Sequence, residues 1–212
     1  MNFQRGMGMG SRMLVEGVRP GRQAGGGGMA MTAARGGWTI RRAVEAELAE
    51  VVVLERETLT APHWAWSEYT PLLNAPTPPT AAVRRCLFVA VDGRAISGFA
   101  VGKAIGLGHD AEAELESVVV RSEMRRQGLG SALCRAVMDW SRDEGAGAIV
   151  LEARAGSAGT LRLYGGLGFV AVGRRARYYH EPEEDAVVMR CALSAGGVGR
   201  GNDGAQSNLF DA

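Results

Sequence analysis

Lysine, cysteine and histidine are scarce in this chain of 212 residues. Of 24 basic residues only Lys103 is a lysine, and the accompanying excess of Arg, Gly and Ala reads as codon bias rather than as a signal. The three cysteines, Cys86, Cys134 and Cys191, stand far apart without a CxxC pair. That argues against a disulfide framework or a zinc site and favours a reducing compartment. His109 and His180 read as loop residues, and no metal-ligand spacing involves them. A formal net charge of +1 leaves no basic surplus on which direct nucleic-acid binding could rest. No stretch approaches the ~20 apolar residues of a membrane span. Residues 1–30 lack the apolar run of ~7–15 residues that a secretory signal needs. A transit peptide fits poorly, because the glycine run 25–28 would disrupt an amphipathic helix. The expectation is a cytoplasmic, monomeric protein with no membrane contact and no metal.

Glycine is what the chain has in excess, 31 residues, with eleven in residues 1–37 and five in 195–212. The ends therefore read as flexible low-complexity tails, 1–37 and 195–212, around a folded domain over 38–194. Met29 or Met31 could be the start of the folded protein. Hydrophobic residues make up 46% of the sequence, enough for a packed core.

The pattern predicts a strand over 38–41, then a helix spaced on Val44, Leu48 and Val51/Val52. Residues 59–79 read as a short helix between loops, closed by the proline-rich stretch 76–79. Strands follow at 86–91, 95–103 and 113–120, the first two joined by the Asp92–Gly93 hairpin signal. A helix is expected over 128–144, with Leu129, Leu133, Ala136/Val137 and Trp140 on one face and Gly145 and Gly147 as stops. Then come a strand at 148–154, a short helix at 160–168, and strands at 169–175 and 184–193. Helices are few and lie between strands, so the class is α/β with a mixed, largely antiparallel sheet. No internal repeat is present.

The segment from Ser117 to Ser131 carries the first chemistry. An apolar strand ends, a charged loop follows, and Gly128 and Gly130 open a helix. Unpaired N–H groups at a helix start, with no side chain in the way, form an anion cradle, and Arg125 and Arg126 add positive charge. A pyrophosphate is the natural guest. The string is not a Walker loop, and Leu133 stands where a dinucleotide fingerprint needs Gly or Ala. A glycine pair serving only close packing is the structural alternative.

The spacing Arg125-x-x-Gly128-x-Gly130, with Leu151-Glu-Ala-Arg154 and Leu163-Tyr-Gly-Gly-Leu-Gly-Phe169, resembles the GNAT superfamily of N-acetyltransferases. Within it the RimI-like branch, which acetylates the N-terminal alanine of a small-subunit ribosomal protein, is most similar. The run Gly173–Tyr179, the segment Glu184–Met189 and Pro62-His-Trp64 carry that finer likeness. The resemblance spans roughly 38–193 and implies a GNAT-like sheet that binds acetyl-CoA where its central strands splay. It implies that Val118, Val119 and Val120 pair with the pantetheine arm, and that Arg125, Arg126, Gln127, Gly128, Leu129, Gly130 and Ser131 hold the pyrophosphate. It assigns Glu152 as general base and Tyr164 as general acid, beside the cofactor. Ser157 stands where the family usually has Asn, which puts the local geometry at the thiol in question. Gly166 weakens the helix carrying Tyr164 by roughly 1 kcal/mol against Ala.

Acyl transfer from a thioester to an amine needs a neutral amine, a polarised carbonyl and a protonated leaving thiol. An α-amine with pKa about 7.7–8.0 is roughly a tenth neutral at pH 7, a lysine only about once in 2,500. A carboxylate such as Glu152 is therefore base enough for a protein N-terminus. Glu152 could instead be a strand-end carboxylate paired with Arg154 or a loop arginine, and Tyr164 a helix residue packed on Leu161 and Phe169. Cys134 lies mid-helix and reads as core, not as a nucleophile.

Tyr178 and Tyr179, followed by Glu181, Glu183, Glu184 and Asp185, would rim an acidic, aromatic groove suited to a cationic peptide N-terminus. A solvated hairpin is the alternative. His63 and Trp64 could form the opposite wall, or a cap over the core. The leading expectation is acetylation of a protein N-terminus, the partner being a ribosomal protein. Acetylation of a small amine or a lysine side chain is the second, and a non-catalytic acyl-CoA-binding module the third.

Overall fold

A computed structural model of the chain describes residues 37–73, 82–93, 95–106 and 111–193. The expected tails, His109 and the proline-rich stretch 76–79 lie outside the described residues. Seven strands form one sheet in the order β1-β2-β3-β4-β5-β7-β6. They are β1 (Trp38–Arg42), β2 (Val83–Asp92), β3 (Ala95–Ile105), β4 (Glu112–Val120), β5 (Ala148–Arg154), β6 (Val170–His180) and β7 (Glu183–Ala192). All neighbours are antiparallel except β4 and β5.

Both faces of the sheet are covered, and the strands show it at period two. Along β2, Cys86 and Ala90 join one core, while Leu87 and Val89 join the other. One face is covered by α3 (Leu129–Asp143), which buries Leu129, Leu133, Cys134, Ala136, Val137 and Met138. Helix α4 (Ala158–Gly166) adds Leu161, Leu163 and Tyr164 to the same core. The other face is covered by α1 (Leu48–Arg56) through Leu48, Val51 and Leu54, and by α2 (Trp66–Leu73) through Tyr69 and Leu72. Helix α3 lies close on β3 because Gly102 has no side chain. A Cβ there would stand 2.5 Å from Val137 Cγ1.

Some boundaries differ from expectation. Val44 does not enter a helix: its N–H is donated to Glu47 Oε2 at 2.9 Å, and a short 3₁₀ turn, Glu45–Glu47, precedes α1. Glu47 is held by Arg41 through both carboxylate oxygens, so the side-chain pair rather than apolar spacing sets the start. The last hairpin is longer than periodicity suggests. β6 runs on to His180, and Tyr179 and His180 pair with Glu184 and Glu183 after a register shift. Arg177, at φ 50°, takes up that irregularity, and its N–H is fixed by Asp185 Oδ1 at 2.8 Å.

Strand β4 contains the irregularity that matters most. Val101 of β3 faces Ser117 and Gly102 faces Leu115, so Glu116 is an extra, bulged residue. The bulge inverts the alternation. Ala113 and Leu115 belong to the α3 side before it, whereas after it Val118 and Val120 pack there and Val119 turns to the α1 side.

Candidate active site

The parallel ladder between β4 and β5 has three pairs, Glu112 with Ala148, Ala113 with Ile149 and Glu114 with Val150. Beyond them the strands part. Residues 118–120 keep β3 on one side only, and residues 151–154 pair only with β7. The wedge between them opens a cleft with two connected lobes of about 370 and 570 Å³. Thr58, Thr60, Val118, Val119, Thr160 and Tyr164 line both.

The larger lobe is cationic. Arg125, Arg126 and Arg162 line it with Gly128, Gly130 and Ser131, and no acidic residue does. Gly128 is the N-cap of α3 at φ 85°, a left-handed conformation that residues with a Cβ avoid, and no side chain caps the helix. The N–H groups of residues 128–131 consequently have no partner within the helix and face a site bordered by three guanidinium-bearing residues. Gly130 keeps the approach to α4 open, since a Cβ would come to 3.2 Å from Leu163 Cδ1. This donor set fits a pyrophosphate. Gln127 is turned back, its Nε2 donating to Glu123 O at 3.1 Å, and Leu129 sends its side chain into the core. Neither residue is among those that line the lobe.

The smaller lobe carries carboxylates: Glu114, Glu116 and Glu152 line it with Arg154, Ser157, Tyr178 and Tyr179. Glu152 is half-buried on β5, and its Oε1 pairs with Arg175 Nε of β6 at 2.7 Å. Arg154 takes a different partner, Glu184 Oε2 at 3.2 Å, and also donates to the carbonyls of Glu181 and Pro182. It thereby fastens the β6–β7 turn over β5, with its guanidinium 4.2 Å from the centre of the Tyr179 ring. Tyr178 is bonded to Glu152, which with partial burial pushes its hydroxyl pKa up to about 12. Burial, then the charge of Glu152, raises that of Tyr179, whose hydroxyl donates to Glu152 O at 3.4 Å. Ser157 is the N-cap of α4 and spends no side-chain bond on the cap.

Tyr164 stands where the lobes meet. It is 8% exposed, its ring lies 5.7 Å from that of Phe169 at 58°, and its carbonyl accepts the N–H of Phe169 at 3.1 Å. Burial, foremost, lifts its pKa above the usual tyrosine value, so the phenol is protonated throughout the neutral range. Cys134 is fully buried in the core, and burial pushes its thiol up to about 12. A thiol in that state is no nucleophile at neutral pH.

His63 and Trp64 do not line the cleft. Trp64 packs against Tyr69 with ring centres 5.7 Å apart, and His63 Nε2 lies 3.1 Å from Thr58 O. Arg56 draws that turn inward by donating to the carbonyls of both, at 3.1 and 2.6 Å. Thr58, Thr60, Ala61 and Pro62 form the wall instead. Sequence reasoning missed these and also Glu116, Thr160, Arg162 and Arg175. Thr and Pro in a loop carry no pattern of their own, and an arginine on an edge strand reads as solvated. Among the described residues no group of three His, Cys, Asp or Glu is placed to hold a metal, and no helix is long and apolar enough to cross a membrane.

A splayed parallel pair, a glycine-opened helix beside it and a tyrosine at the junction define a class of fold. Residues 49–169, more than half of the chain, match the Acetyltransferase (GNAT) family, and the chain belongs to it. The "[Ribosomal protein bS18]-alanine N-acetyltransferase" of Escherichia coli K12 is 36% identical over 85 residues, which are 39% of this chain and 57% of that protein. "N-alpha-acetyltransferase RimI" of Mycobacterium tuberculosis is 33% identical over 101 residues, 48% of this chain and 62% of its own. The chain thus spans somewhat more than half the length of the curated relatives it matches. The crystal structure of the ribosomal-protein-S18-alanine N-acetyltransferase from Escherichia coli superposes with a TM-score of 0.61 at 25% identity, over 82% of this chain and 99% of that one.

Proposed function

We propose that the protein transfers an acetyl group from acetyl-CoA to the α-amine of a protein N-terminus. The observation that carries this reading is Tyr164 at the junction of a cationic lobe and a carboxylate lobe. The first suits the pyrophosphate of the donor, the second the ammonium of the acceptor, and the junction is where a thioester and an amine would meet. Acetyl-CoA supplies the activated acyl group. The unpartnered N–H groups at residues 128–131, with Arg125 and Arg126, bind its anionic part, and the open edge of Val118–Val120 orients its arm along β4. Ser157 presents a free hydroxyl near the sulfur in place of the family's usual Asn.

Glu152 accepts the proton that the ammonium must lose before its nitrogen can attack, once the acceptor displaces Arg175 from the carboxylate. Tyr164, always protonated at neutral pH, donates its hydrogen to the departing sulfur as the C–S bond breaks and the N–C bond forms. The nitrogen gives up two protons in all, one to Glu152 before attack and one as the N–C bond forms. One passes to solvent and the other replaces the proton that Tyr164 gave to the thiolate, so both side chains return to their starting state. Preformed position accounts for much of the acceleration, since both groups are held on regular elements.

The acceptor is, on this reading, the N-terminal alanine of a small-subunit ribosomal protein. The names of the Escherichia coli and Mycobacterium tuberculosis relatives support it, as does the low pKa of an α-amine relative to lysine. Mass spectrometry of the full chain with acetyl-CoA and a peptide panel tests it. Acetylated Ala-initiated peptide is expected. Turnover of polyamine or lysine with no product from Ala-, Ser- or Thr-initiated peptides would replace this reading with a small-amine or side-chain acetyltransferase.

A further inference from the structure

The carboxylate lobe holds an acid that the chemistry above leaves unused. Glu116 is the bulged residue of β4, its side chain only 8% exposed. Its Oε1 accepts from Arg85 Nη2 at 2.6 Å and Lys103 Nζ at 3.4 Å, and Oε2 is buried with no partner. Lys103 is shared with Glu114, whose Oε2 lies 2.5 Å from Nζ. A carboxylate oxygen withdrawn from water without a donor is costly to hold, and a bulge conserves no ladder bond that would explain placing it there. Both facts make sense if the donor arrives with a ligand.

Position identifies that ligand. Glu114 and Val150 are the last pair of the β4–β5 ladder. Two residues further on each strand bring Glu116 to the level of Glu152, one on either side of the opening wedge, and both line the same lobe. An ammonium has three N–H donors. Glu152 can take one proton while an N–H that stays on the nitrogen is held by a second acceptor across the gap, and the freed lone pair points between them.

We infer that Glu116 is a substrate-binding residue whose free oxygen accepts an N–H of the incoming primary amine and fixes the nitrogen between β4 and β5. The inference rests on the acyl-transfer reading above and not on which amine is the physiological one. Arg85 and Lys103 hold the carboxylate in one orientation, so the acceptor finds it preformed.

Steady-state kinetics of full-length Glu116→Gln, with an Ala-initiated peptide and with spermidine, tests this beside acetyl-CoA binding by calorimetry and thermal melting. The acceptor KM is expected to rise about tenfold, as for a lost charge-assisted hydrogen bond, with kcat and acetyl-CoA affinity nearly unchanged and melting lowered by the loss of the pair with Arg85. An acceptor KM within twofold of wild type, or a parallel loss of acetyl-CoA affinity, overturns the inference and leaves Glu116 as a structural partner of Arg85. If that variant does not fold, Lys103→Met decides: removing a donor that orients the carboxylate should raise the acceptor KM with acetyl-CoA affinity unchanged, and an unchanged or lower KM counts against it. Wild type that acetylates spermidine alone overturns the N-terminus reading while Glu116 is scored on spermidine. Wild type that acetylates neither overturns both.

Discussion

The two lobes of the cleft differ in how they are made. The cationic lobe is built mainly from one continuous stretch, the end of β4 and the start of α3, with residues 159–164, Thr58 and Thr60 closing it. Its donors are mainly backbone N–H groups, and its geometry follows from Gly128 at φ 85°. The carboxylate lobe is assembled from side chains on β4, β5, β6 and the loop after α1. Nearly every group in it is bonded to another element: Glu152 to Arg175, Arg154 to Glu184, Tyr179 to Glu152 O. A site that must receive a common donor can be local and backbone-made. One that must recognise a particular acceptor depends on side chains brought from far apart.

Substitutions at the two lobes should separate cleanly. The largest effect is expected at the junction. Tyr164→Phe should lower kcat by about a hundredfold or more, with acetyl-CoA affinity by calorimetry changed by less than about twofold. A large affinity loss at unchanged kcat would mean that Tyr164 belongs to the donor lobe alone. Glu152→Gln should lower kcat/KM for the acceptor by about tenfold to a hundredfold, and raising the pH should recover part of it as more α-amine becomes neutral. An equal loss at all pH values would argue that Glu152 only anchors Arg175.

On the other side, Arg126→Ala should weaken acetyl-CoA about tenfold, a typical loss for a charge-assisted contact, with the acceptor KM unmoved. Salt titration should show that wild-type donor binding falls faster with ionic strength than that of the variant. The smallest effect concerns Tyr178. Its pKa, pushed up to about 12 by Glu152, lies above the ~10 of an unfolded tyrosine. The protonated form is therefore favoured by folding, and the associated stability is fully present below pH ~10 and lost as pH rises towards 12. Tyr178→Phe should flatten the fall in melting temperature across that window and leave neutral pH almost unchanged. A fall as steep as that of wild type would place the titration elsewhere.

The asymmetry between the lobes also governs what could be read from the sequence. The glycine-opened helix was legible because φ and backbone donors are local properties, and the pair Gly128 and Gly130 announces both. Tyr164 and Glu152 were singled out only through the family resemblance, and their surroundings were not legible. Arg154 was a reasonable partner for Glu152 by proximity in the chain, yet it turned to Glu184. Glu152 and Arg154, two apart on β5, share a face, but positions on one face need not bond when a neighbouring strand offers a better partner. Tyr178 and Tyr179 were expected on a hairpin rim and sit on a strand, because pairing with Glu184 and Glu183 resumes past a register shift. His63 and Trp64 were open between an acceptor wall and a cap over the core; Arg56 and the Tyr69 ring hold that turn against the core on the α1 side.

Sequence alone determined the order of helices and strands, the α/β class and the glycine-opened start of α3. These rest on periodicity, glycine conformation and local spacing, which act over a few residues. Only the tertiary structure decided that β4 carries a bulge at Glu116, that β4 and β5 part after Glu114 and Val150, and that Arg175 of β6 reaches Glu152. Each of these depends on register between strands distant in the chain, and a one-residue change of register moves a side chain to the other face of the sheet.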